Sequence, residues 1–236
     1  MVLVLVLVLV LGLGWVWVGG PLAMMVMLSN TRGLQTGFLA GKYEGRIGHL
    51  YSPDGWGRPY PWLPYALDNG RFAVWAAGKK WERDSYIQLL SKAQDSGQKP
   101  LWVLVPDVVA DSASTLQEWL RWLPKLNAYG WPLAFAVQDG MLPSDVPAEA
   151  EIVFVGGSTE WKRRTLHLWT DTFPRVHVGR INTGRWLWEC HEAGVESVDG
   201  TGYMRGDQKQ LQGLVTYLDR TQRGACNPRG APLFKR

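Results

Sequence analysis

From Met24 onward, short aliphatic and β-branched runs alternate with longer stretches in which apolar residues recur every three or four positions. Short runs of that kind suit buried strands and the longer period suits the helices that cover them, so the pattern predicts βα units around a parallel sheet. Eight strand candidates follow one another, at 24–28, 46–50, 64–67, 101–105, 133–137, 152–155, 176–178 and 196–198. Between the later ones the helix signals are explicit. Ser112 heads an amphipathic stretch through Leu126 that Tyr129-Gly130-Trp131-Pro132 closes, Thr159 is placed to cap a helix carrying Trp161 and Leu166, and Gly206-Asp207 opens a last helix through Leu214 and Leu218. Eight such units in roughly 210 residues predict an α/β fold, a single-domain (β/α)8 barrel of the TIM type. Gly and Pro dominate 41–64, where Trp56, Tyr60 and Trp62 either form a lid or close the barrel's side.

The first residues do not share this pattern. From Val2 to Thr31 no residue is charged, and the run begins as a Val-Leu alternation. It is long enough to span a bilayer, for which about 20 apolar residues suffice. No Lys or Arg precedes it, and Gly12, Gly14, Gly19, Gly20 and Pro21 interrupt it, which argues against a signal peptide or a membrane anchor. A start assigned too far upstream remains open beside the anchor, since Met24, Met25 and Met27 offer later starts. The expected division is therefore an apolar low-complexity extension at 1–23, a barrel at 24–222 and a basic tail at 223–236.

Charge and cysteine content narrow the field further. The net charge of +4 is compatible with a polyanionic partner, and Arg220, Arg223, Arg229, Lys235 and Arg236 concentrate charge at the far end. Cys190 and Cys226 make no metal-type spacing, and His49, His167, His177 and His191 are scattered, so no metal site is expected. Two cysteines point to a reducing cytoplasm rather than a disulfide scaffold. Trp102, Trp119, Trp122, Trp186 and Trp188 fall at helix or strand spacing and are expected in the core.

In a barrel, chemistry gathers where the strands end. The predicted strand ends here are polar: Ser29-Asn30, Asp68-Asn69-Gly70, Pro106-Asp107, Gln138-Asp139-Gly140, Gly156-Gly157-Ser158, Gly179-Arg180 and Asp199-Gly200-Thr201. Two carboxylates in one pocket are the working parts of glycosyl transfer, one attacking or shielding the anomeric carbon while the other moves a proton. Carboxylate and amide groups also hydrogen-bond nucleobase edges. These residues by themselves describe a carboxylate-based barrel enzyme with glycoside hydrolysis as the default.

Five segments taken together resemble one family. Asp68-Asn69-Gly70-Arg71-Phe72, Val103-Leu104-Val105-Pro106-Asp107, Val137-Gln138-Asp139-Gly140, Val155-Gly156-Gly157-Ser158 and Gly194-Val195-Glu196-Ser197-Val198-Asp199 are similar, in order, to motifs of the tRNA-guanine transglycosylase superfamily. Within it, the chain is most similar to the shorter branch that inserts 7-deazaguanines into DNA in phages and bacteria. The resemblance implies Asp199 as the nucleophile on C1′, Asp68 as general acid/base, Asp107 and Gln138 as readers of the base edge, and Asn69, Gly156, Gly157 and Ser158 as further lining of the base pocket. It implies no cofactor, a free 7-deazaguanine as co-substrate, DNA as the nucleic acid, and partner proteins that open the duplex. The family's tRNA enzymes carry a zinc site after the nucleophile, where this chain has only Cys226 and no histidine, and Thr201-Gly202-Tyr203-Met204-Arg205 replaces their Pro-Thr-Arg. Both departures favour DNA, with tRNA as the alternative. Lys162 and Arg163 beside Trp161, together with Arg205, are the expected nucleic-acid contacts. A hydrolase that releases the base, and an inactive DNA-binding barrel, are the rival readings.

Overall fold

The computed structural model describes residues 24–29, 33–205 and 208–224. The apolar extension, Asn30, the Gly206-Asp207 helix opening, Cys226 and the tail beyond 224 lie outside the described residues. Eight parallel strands close into a barrel in sequence order: β1 (Met25–Ser29), β2 (Ile47–Tyr51), β3 (Tyr65–Leu67), β4 (Val103–Leu104), β5 (Leu133–Val137), β6 (Ile152–Val155), β7 (Val176–Val178) and β8 (Ser197–Gly200). Around them run α1 (Leu34–Lys42), α2 (Arg71–Ala76), α3 (Arg83–Asp95), α4 (Ser112–Asn127), α5 (Thr159–Thr172), α6 (Gly184–Glu192) and α7 (Gln208–Gln222). Closure is made by β1 on β8, with Met27 opposite Asp199. The chain is thus a single-domain (β/α)8 barrel, as its pattern predicts. Among the described residues no helix is long and apolar enough to cross a membrane.

Side chains alternate across each strand and so divide the apolar residues into two cores. The outward set, including Val26, Phe135, Val153, Val178 and Val198, packs under helix residues such as Leu39, Leu90, Trp119, Leu166, Leu187 and Leu214. The inward set fills the barrel with Met27, Leu50, Ala66, Trp102, Leu104, Ala134, Ala136 and Ile152. Small residues there make room for large ones. A Cβ at Gly48 would stand 2.6 Å from the Met27 sulfur, so β2 yields its inward position to methionines from β1. Inside, the filling is apolar through β6 and then changes: β7 and β8 send in His177, Ser197 and Asp199, all buried.

Some boundaries move from their expected places. The strand expected at 101–105 shortens to Val103–Leu104, although ladder bonds continue from Leu101 N to Tyr65 O (2.7 Å) and from Val105 N to Ala134 O (3.0 Å). The cap of α5 is Ser158 rather than Thr159, because the Ser158 hydroxyl accepts from Trp161 N (3.3 Å). Likewise Asp111 caps α4, one residue ahead of Ser112. No α-helix joins β2 to β3; a single 3-10 turn (Pro53–Gly55) does, and aromatics cover the exposed wall instead. Trp56 packs on Tyr51 (centroids 5.2 Å apart) and Tyr60 on His49 (6.1 Å), so this segment closes the barrel's side rather than its mouth.

Candidate active site

The polar inward positions of β7 and β8 form one hydrogen-bonded line. His177 stands opposite Ser197 in the strand pairing, and its Nδ1 lies 2.8 Å from the Ser197 hydroxyl while its Nε2 lies 3.2 Å from Asp199 Oδ2. When Asp199 is ionised it only accepts, so Nε2 carries the proton and a neutral ring takes the Ser197 hydroxyl hydrogen at Nδ1. The imidazole cannot turn freely, because Phe154 stacks on it (4.8 Å, 27°) and Trp102 meets it edge-on (4.8 Å, 61°). Asp199 was expected just beyond its strand; the structure puts it within β8, 6 % exposed, where ladder pairing fixes its backbone. A second donor, Arg180 N, reaches the same Oδ2 at 3.2 Å. Both bonds fall on Oδ2, and Oδ1 takes none among the described residues.

The opposite side of the mouth holds a carboxylate in another way. Asn69 Nδ2 donates to Asp107 Oδ1 (2.8 Å) and Gln138 Nε2 donates to Asp107 Oδ2 (3.0 Å), so each oxygen has an amide partner. The same amides are otherwise engaged inside the protein. Asn69 also donates to Val105 O and accepts from Arg71 N, and Gln138 also donates to Val108 O and the Thr115 hydroxyl while accepting from Ala110 N. At 1 % and 3 % exposure they offer no spare amide hydrogen to a base. Gln138 and Asn69 therefore act here as braces for Asp107, which corrects the expectation that they contact the base themselves. Burial raises the Asp107 pKa, against the lowering effect of the Asn69 bond.

Asp68 lies between these two groups in electrostatic terms. Burial pushes its pKa up to about 7, the Gly70 N–H (2.9 Å to Oδ1) pulls it down, and the nearby Asp199 and Asp107 push it up again. Asp68 therefore feels the charge of both other carboxylates at the mouth. Among the described residues, no three His, Cys, Asp or Glu side chains gather as a metal centre needs.

The Gly156-Gly157-Ser158 turn is shaped from within. At Gly157, whose φ is +55°, a Cβ would come within 2.6 Å of both Asp139 Oδ2 and the Trp161 ring, so only glycine fits. Ser158 N (2.6 Å) and its hydroxyl both donate to Asp139, a fixing role for Asp139 that the sequence did not reveal. Arg180 bonds Gly157 O and stacks its guanidinium on Phe72 (4.1 Å), linking this turn to α2. Arg180 and Ala110 are the two non-glycine residues with left-handed backbone among those described, and each donates its N–H to a site side chain, Asp199 and Gln138 respectively. Such strain is tolerated where the surroundings over-determine it, often at functional sites.

The expected basic contacts are only partly available. Lys162 is 1 % exposed, donates Nζ to Gly179 O and has its pKa pulled down to about 8 by burial, so it supports the β7 end from beneath instead of facing a nucleic acid. Arg163 lies over Trp186 (4.5 Å) and pairs with Glu189 (3.3 Å), which turns its charge toward α6. Arg205 is exposed after the turn Gly202–Met204. The residues that sequence reasoning passed over are His177 and Ser197, although the triplet Val176-His177-Val178 carried the signal: a polar residue between two outward valines has to point into the barrel. The chain matches no protein-family model and no curated protein.

Proposed function

We propose that the protein is a base-exchange transglycosylase that replaces guanine in DNA with a 7-deazaguanine derivative. The observation that carries this reading is the one-sided fixing of Asp199, oriented through Oδ2 with Oδ1 left over, beside a second carboxyl group whose pKa of about 7 suits proton transfer. Asp199 Oδ1 attacks C1′ of the target nucleotide and the C1′–N9 bond breaks. Its electron pair leaves on the base, which takes a proton from Asp68. The covalent glycosyl-enzyme then meets the incoming 7-deazaguanine, whose N9 proton passes to the Asp68 carboxylate as N9 displaces Asp199 from C1′. Breaking and remaking equivalent bonds needs no outside energy source. Asp107, with both oxygens oriented by amides, presents its remaining lone pairs to the N1–H and N2–H donors of a guanine-type base. The target nucleotide has to leave the base stack for C1′ to reach Asp199. DNA is preferred to tRNA on the sequence after Asp199, which lacks the zinc ligands and the Pro-Thr-Arg of the tRNA enzymes it resembles.

Incubation with labelled 7-deazaguanine and either nucleic acid tests the reading. Label is expected in DNA with wild-type protein and in neither nucleic acid with Asp199→Asn. Label found only in tRNA overturns the choice of DNA, and guanine release without any acceptor base turns the enzyme into a hydrolase.

A further inference from the structure

A second feature adjoins the mouth and takes no part in the chemistry above. Between the start of α2, the turn ahead of α3 and the face of α4 lies a cleft of about 430 Å³, within the range that holds a nucleotide-sized ligand. Its lining includes four cationic side chains, Arg71, Lys80, Arg83 and Arg121, against one acid, Glu118. Glu118 is nearly buried and orients the cations: its Oε2 accepts from Arg71 Nη2 (2.6 Å) and Trp122 Nε1 (3.2 Å), and its Oε1 from Arg121 Nη1 (2.7 Å). Lys80 and Arg83 are exposed and make no ion pair among the described residues; the acids Glu82 and Asp84, also exposed, flank Arg83 along the chain.

The cleft is physically tied to the candidate active site. The partly exposed Trp81 on its wall donates Nε1 to Asn69 O (2.8 Å) and carries the Arg71 guanidinium on its ring (4.1 Å), while the Asn69 side chain clamps Asp107. One residue therefore faces both places. Guanidinium groups held in fixed orientation, an unpaired lysine and an indole edge suit a phosphodiester chain with its sugars and bases better than a compact anion, since charge and flat apolar surface alternate. We infer that this cleft binds the single-stranded DNA segment flanking the nucleotide whose base is exchanged. The inference rests on the proposed function for the identity of that strand, and on the cleft alone for its affinity toward a phosphate chain.

Binding of a fluorescent ten-nucleotide single-stranded DNA, followed by anisotropy over a series of salt concentrations, tests it. The double variant Lys80→Glu/Arg83→Glu changes only exposed side chains, and an unchanged thermal midpoint certifies its fold. It is expected to bind about 10- to 100-fold more weakly at low salt, and to lower the slope of log K against log salt by about 1.4, the loss of two phosphate contacts on a single strand. Unchanged DNA affinity in the double variant overturns the inference. So does displacement of the DNA by a ten-residue polyglutamate at equal concentration, which would make the cleft a dock for an acidic protein, or displacement by inorganic phosphate at similar molarity, which would make it a simple anion site. Failure of the two ideas is distinguishable. Cleft-dependent DNA binding without base exchange removes the transglycosylase reading and keeps the cleft, whereas base exchange whose KM for DNA is the same in the double variant removes the cleft and keeps the enzyme.

Discussion

Asp107 and Asp199 stand at the same barrel mouth and are held in opposite ways. Among the described residues, Asp107 receives one side-chain amide on each oxygen, from Asn69 and Gln138, whereas Asp199 receives an imidazole and a backbone N–H on one oxygen alone. A group gripped at both ends presents a fixed pattern of lone pairs, which suits recognition of a flat partner. A group gripped at one end is aimed, and its other oxygen stays available for bond formation. In the proposed reaction this difference divides the mouth into a reading side, Asp107 with its amide partners, and a reacting side on β7 and β8, with Asp68 after β3 supplying the proton chemistry.

The largest expected effect tests the reacting side. Asp199→Asn should lower the exchange rate by on the order of 10⁴- to 10⁶-fold, as losses of a nucleophile do, and should abolish any covalent adduct with DNA detectable on a denaturing gel. If the adduct persists in the variant, another group attacks and the division of labour falls.

Asp68 offers a test through pH. Its folded pKa of about 7 lies above the ordinary carboxyl value of 3.8, so between those values the folded state keeps a proton that the unfolded chain has released. Raising the pH through this window therefore costs stability, with the loss complete above about pH 7 and amounting to a few kcal/mol in the unrelaxed limit. Asp68→Asn should match wild type near pH 4 and exceed it in stability at pH 8, as chemical denaturation at the two pH values would reveal. The exchange rate of wild type should fall above pH 7, where the acid form of Asp68 is lost. A wild-type stability equal at both pH values, with no gain from Asp68→Asn, would show that the carboxyl group ionises normally.

The reading side should respond in substrate affinity. Gln138→Leu strips one donor from Asp107 and leaves the Ala110 N–H and the Thr115 hydroxyl without their amide partner, at a cost of about 1–3 kcal/mol in stability. The KM for the incoming base should rise by about ten- to a hundredfold, while kcat changes less, because the loss falls on binding of the base in ground and transition state alike. An equal drop in kcat with KM unchanged would move Asp107 to the reacting side.

How far the chain announced all this differs between the two sides. The eight strands and the three aspartates were legible because strand period and polar strand ends are local properties, as in Leu133–Val137 and Ile152–Val155, which match their expected bounds. Gln138 and Asn69 are legible as polar strand ends, but their hold on Asp107 is not, since a side chain that braces a carboxylate and one that meets a base look identical in sequence. Lys162 misled for a related reason: its basic neighbours suggested an exposed face, yet its helix position turns it under Gly179. His177 is hidden in the sequence because its partners Ser197 and Asp199 are 20 and 22 residues away and meet it only through strand pairing, which histidine spacing along the chain does not show.

The line from Ser197 through His177 to Asp199 gives the smallest and most discriminating effects. His177 touches neither sugar nor base in the proposed reaction; it positions Asp199 by way of Oδ2, so His177→Gln should lower kcat by about tenfold with KM for the base nearly unchanged. Ser197→Ala acts one step further out. It leaves the ring nitrogen Nδ1 without its partner inside an aromatic slot formed by Phe154 and Trp102, which costs about 1 kcal/mol in stability, yet the slot still holds the imidazole plane and kcat should change less than in His177→Gln. The order of the two effects is the decisive readout. If Ser197→Ala damages kcat as much as His177→Gln does, hydrogen bonding rather than aromatic packing orients the imidazole, and Asp199 is aimed by a relay of three side chains instead of by one ring fixed in its slot.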